Sequence, residues 1–83
     1  MPDIDWRKFI HSDPGILPGK PVVKGTRLSV EFILGLFAKG WTEEQIIENY
    51  PALTKESLRA VFIFVMECMK EEHIYELPVE VDQ

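Results

Sequence analysis

The sequence predicts a mostly α-helical fold, a tri-helical unit of helix-turn-helix type preceded by a short N-terminal β-arm. Three observations carry that reading. Apolar residues recur at helical spacing in three stretches beyond residue 28; each stretch opens on a Ser or Thr placed to cap a helix; and Pro and Gly interrupt the chain before them.

The first 28 residues contain Asp13-Pro14-Gly15, Pro18-Gly19, Pro21 and Gly25, through which no helix runs. Short extended pieces remain at Phe9-Ile10-His11 and Pro21-Val22-Val23-Lys24, with a return through Thr26-Arg27-Leu28. At Ser29 the pattern changes. Val30, Ile33, Leu34 and Phe37 share one helical face, Ser29 is the expected N-cap, and Gly40 ends the helix in the left-handed conformation that glycine adopts at little cost. Thr42-Glu43-Glu44-Gln45 then has the form of a capping box, opening a short second helix that buries Ile46 and ends before Pro51.

Thr54 caps the third and longest helix, expected over residues 55–72, with Leu58, Val61, Phe62, Val65 and Met69 as its core face. Ala60, Phe64 and Cys68 fall on a further flank, so the apolar arc spans roughly 240°, well beyond the stripe that a single core requires. Arg59, Glu67 and Lys70, with Ile63 among them, mark the polar side. Two helices cannot also cover the Ala60, Phe64 and Cys68 flank, which predicts a homodimer with those residues at its interface. The organisation expected is therefore an arm (1–28), a tri-helical domain (29–72) and an acidic tail (73–83), within one domain.

Eighty-three residues with 46% hydrophobic content suffice for one folded domain with a thin core. No basic stretch followed by an apolar run opens the chain, and the longest apolar run, Ala60 to Met66, falls far short of a membrane span, so a cytoplasmic protein is expected. The lone Cys68 excludes an intramolecular disulfide and a cysteine-based zinc site. A net charge of −5 argues against coating nucleic acid by bulk electrostatics, yet the charge is polarised. Residues 1–40 carry six basic and four acidic side chains, a balance of +2, whereas residues 41–83 carry three basic and ten acidic, a balance of −7. The two ends suit different partners.

Little supports catalysis. His11 and His73 stand outside any motif, Asp3, Asp5 and Asp13 lack metal-ligand spacing, and no Gly-rich loop opens a helix for phosphate. No enzyme activity, metal or cofactor is expected, and Trp6 and Trp41 read as packing residues. If DNA is bound, the third helix with Lys55, Ser57 and Arg59 is better suited than the second, whose Glu43 and Glu44 would repel phosphate. Lys20, Lys24 and Arg27 add cations on a backbone stiffened by Gly and Pro, fitting phosphates or a partner's carboxylates; alternatively, Arg27 holds the arm onto the helical body. The tail sets the apolar Ile74, Tyr75, Leu77 and Val79 among polar and acidic groups, a pattern expected either to order on a protein partner or to fray as a chain end.

Four blocks occur in order: Ile10-His11-Ser12-Asp13-Pro14, the run from Gly19 through Lys20-Pro21-Val22-Val23-Lys24-Gly25-Thr26-Arg27 to Val30, Gly40-Trp41-Thr42-Glu43-Glu44-Gln45-Ile46, and Tyr50-Pro51-Ala52-Leu53-Thr54. Together they resemble the antitoxin-like family of domain of unknown function 433, from about Ile10 to Val65. The resemblance implies a homeodomain-like domain related to VapB-type antitoxins, often encoded beside a nuclease-like toxin. It implies binding to that toxin and, as a complex, to operator DNA. Of the matching positions, the basic Lys20, Lys24 and Arg27 are carried over. The leading expectation is an antitoxin-like component of a type II toxin–antitoxin system. The rivals are a stand-alone helix-turn-helix transcriptional regulator, a non-catalytic dimerisation module, and a small hydrolase relying on His11 or an Asp.

Overall fold

The structure, a computed structural model, describes residues 3–71. A 3-10 turn, η1 (Trp6–Lys8), leads into strand β1 (Ile10–Ser12); β2 (Pro21–Val23) follows, then helices α1 (Val30–Ala38), α2 (Glu43–Asn49) and α3 (Lys55–Glu71). The architecture is thus mostly helical, with one small sheet among the described residues.

The strands pair antiparallel, Ile10 opposite Val23 and Ser12 opposite Pro21. Leu28 returns beside β2, its carbonyl accepting from Val23 N–H at 3.0 Å, and Ser29 bridges to Val22. The hairpin is part of the core: Ile10, Val22 and Val23 are buried together with Val30, Ile33, Leu36, Ile46, Leu53, Leu58 and Val61. Burying side chains of this size at ~1.5–3 kcal/mol each makes the β-segment as necessary to the fold as the helices.

Each helix start follows its local chemistry. Ser29 Oγ accepts from Phe32 N–H at 2.9 Å; Thr42 and Gln45 satisfy one another's backbone N–H groups at 3.1 and 2.8 Å; and Thr54 and Ser57 do the same at the start of α3, at 3.0 and 2.8 Å. Gly40, at φ +95°, ends α1.

Two sequence expectations need correction. Phe62, expected in the core, is 47% exposed and Met69 56% exposed. The flank expected to stay open is covered in part by the chain's own N-terminal turn. The Trp6 ring meets Phe64 edge-on with centroids 4.9 Å apart, and Ala60 is 0% exposed inside the core. The reason is η1: Asp5 caps it by accepting from Arg7 N–H at 3.1 Å, and this turn swings Trp6 onto α3. The exposed apolar face of α3 is therefore rotated away from the Phe64 flank. Cys68, from the same flank, is exposed.

Candidate functional site

The turn between β2 and the Ser29 cap concentrates exposed cations on a fixed backbone. Gly25 sits at φ +81°, a conformation open to glycine and strained for side chains bearing a Cβ. Around it, Val23 O accepts from both Thr26 N–H at 3.1 Å and Thr26 Oγ1 at 2.8 Å, while Thr26 Oγ1 accepts from Leu28 N–H at 3.0 Å. Lys24 N–H donates to Phe9 O at 2.7 Å, locking the turn to β1. Four of the six residues from Val23 to Leu28 are thereby tied to one another or to the hairpin.

Lys24 and Arg27 are exposed on this turn, and neither has an ion-pair partner among the described residues. Arg27 borders a shallow recess with His11, Asp13, Ile16 and Thr26. The alternative role for Arg27, holding the arm to the helical body, falls to Lys20. Its Nζ donates to Glu31 Oε1 at 2.9 Å, across from the hairpin to the first turn of α1. Lys20 holds the Glu31 carboxyl below the usual range, first through that hydrogen bond and then through its charge.

The cations expected on α3 are placed unevenly. Lys55 and Arg59 are exposed on the helix's first two turns. Ser57 is 4% exposed, and its hydroxyl is consumed by Thr54, accepting from its N–H and donating to its carbonyl at 2.9 Å. Ser57 is thus a capping residue, unable to reach a phosphate without unwinding the helix start. The sequence signal for this was present in Thr54-x-x-Ser57, a reciprocal cap with Ser in the position usually held by Glu or Gln.

A second feature is apolar. Phe62, Met66 and Met69 stand 47%, 49% and 56% exposed along one side of α3, with Phe62 resting against Phe37 at 5.0 Å between centroids. Ala60, expected at a subunit interface, offers no surface, and Phe64 offers only what Trp6 leaves. The expected partner-binding residues Ile74, Tyr75, Leu77 and Val79 lie outside the described residues. Among the described residues no group of His, Cys, Asp and Glu could hold a metal ion, and no helix is long and apolar enough to cross a membrane.

Comparison with known proteins matches residues 10–65 to the family described as "Protein of unknown function (DUF433)". The uncharacterized protein y4eO of Sinorhizobium fredii (strain NBRC 101917 / NGR234) is 38% identical over 58 residues, covering 70% of this chain. This chain spans 26% of that relative's length. No solved structure gives a significant match.

Proposed function

The chain belongs to the DUF433 family of proteins of unknown function, and from that premise we propose that it is a non-catalytic, antitoxin-like binding protein. In this reading it is a cytoplasmic component of a type II toxin–antitoxin system, a homeodomain-like module that sequesters a nuclease-like toxin. With that toxin it holds operator DNA.

The observation that supports the reading most is the cation pair on the locked turn. Lys24 and Arg27 are exposed, lack ion-pair partners among the described residues and ride on a backbone that the Thr26 bonds and Gly25 hold in place. Cations held this way engage phosphate without first breaking an ion pair or ordering a loop, which lowers the entropic cost of contact. A net charge of −5 limits bulk attraction to DNA, so such contacts must be local and their number small.

The test is fluorescence anisotropy with a duplex covering the region upstream of the protein's own reading frame, alone and with the product of the adjacent frame. Binding tighter than to a scrambled duplex, strengthened by that product, supports the proposal. Equal affinity for both duplexes in the presence of that product contradicts it.

A further inference from the structure

We propose that a second copy of this chain docks on the exposed side of α3, antiparallel to it, about a two-fold axis beside Ile63. This goes beyond the toxin reading and does not depend on it. Phe62, Met66 and Met69 follow one another at steps of four and three residues, the spacing of a seam along which one helix packs on another. They are exposed while Leu58, Ala60 and Val61 of the same helix are enclosed in the core. Two unbranched methionines beside a phenylalanine also adapt readily to a facing surface.

The flank of that seam identifies the occupant. Glu56, Ile63 and Lys70 lie seven residues apart along one side of the helix, and both charged members are exposed. In an antiparallel pair, this flank faces the same flank of the other copy. An axis that sets Ile63 against its own counterpart then places Glu56 opposite Lys70 of the second copy, and Lys70 opposite its Glu56. Phe62 meets Met66 across the same axis, twice. A parallel pair would bring like charges to the same level and lose the match. Among the described residues the ion pair of Lys70 is a long one, 4.0 Å to Glu67, which leaves its head group available to a closer partner.

The symmetric arrangement buries each apolar residue of the seam in both copies at once, which is how a self-complementary patch closes without leaving a second one open. The flank at Phe64 cannot serve instead, because Trp6 already occupies it.

Sedimentation of the full chain decides the matter. The unmodified protein is expected to run at twice its 9.6 kDa monomer mass at micromolar concentration. Met66→Glu, at a residue outside the core, should weaken the dimer by roughly tenfold or more through burial of an unmatched charge, with unchanged circular dichroism. Glu56→Lys and Lys70→Glu should each weaken association, and the double variant should recover it. Both reversals oppose the helix dipole, so recovery in the double variant cannot come from a more stable helix. A monomer that pairs only with a different protein, or a dimer indifferent to Met66→Glu, overturns the proposal. Failure of the double variant to recover overturns the antiparallel arrangement.

Discussion

Lys20 and Glu31 join the hairpin to the first turn of α1, with Nζ 2.9 Å from Oε1. Because the pair favours the ionised carboxylate, Glu31 titrates lower in the folded chain than its ordinary value near 4.5. Its contribution to stability is fully present above that ordinary value and is lost as pH falls through the lowered folded value. Both side chains are exposed, so salt screens the contribution. Lys20→Ala should return the Glu31 carboxyl upward toward its ordinary range, read by carbon-13 NMR titration. An unmoved titration would show that the ion pair does not persist in solution.

The Trp6–Phe64 contact ties the N-terminal turn to the middle of α3. Phe64→Ala and Trp6→Ala should each lower unfolding stability by about 1–3 kcal/mol, below the range for a fully buried aromatic because both residues remain partly exposed. The double variant should lose about 0.5–1.5 kcal/mol less than the sum of the two, the coupling of an edge-on aromatic pair. Urea unfolding of the four proteins measures it, and strict additivity would place Trp6 elsewhere.

The three hairpin cations should be unequal toward DNA. Lys24 and Arg27 lack ion-pair partners among the described residues, whereas Lys20 must surrender Glu31 before meeting phosphate. The double substitution Lys24→Ala with Arg27→Ala should flatten the dependence of affinity on salt by roughly two contacts, and Lys20→Ala by less than one. Salt titrations by anisotropy on the same duplex make the comparison. An equal effect of Lys20→Ala and Arg27→Ala would contradict the role given to the Lys20–Glu31 pair.

Gly25→Ala should cost about 1 kcal/mol or more. An added Cβ would meet nothing within 4 Å, so the whole cost arises from the backbone at φ +81°. Thermal unfolding checks the stability. The same variant should weaken DNA binding although neither cation is changed, because the turn that presents them is disturbed.

Much of this architecture was legible in local chemistry. The caps at Ser29, Thr42 and Thr54, the stop at Gly40 and the places of the two short strands each rest on interactions among nearby residues or on local backbone preferences, which sequence displays directly. What was hidden depends on non-local packing. The apolar arc of α3 indicated that its two core-side helices were not enough, but did not say which flank the chain would cover itself. Trp6 decides that, and η1 follows from Asp5 capping a single turn too short to leave a periodic signal. Likewise, the exposed sequence position of Lys20 gave no sign of Glu31 eleven residues on, which α1 brings alongside. Ser57 was misread because its polarity suggested surface, whereas the reciprocal cap with Thr54 buries it.

The claim that the chain acts as an antitoxin is tested most directly by nuclease inhibition. The product of the adjacent reading frame, purified by itself, is assayed on RNA while the full chain is titrated in. The account predicts loss of nuclease activity at a stoichiometric endpoint, unaffected by Lys24→Ala with Arg27→Ala because those cations are assigned to DNA. Nuclease activity that persists at excess chain, or a neighbouring product without nuclease activity, would contradict it.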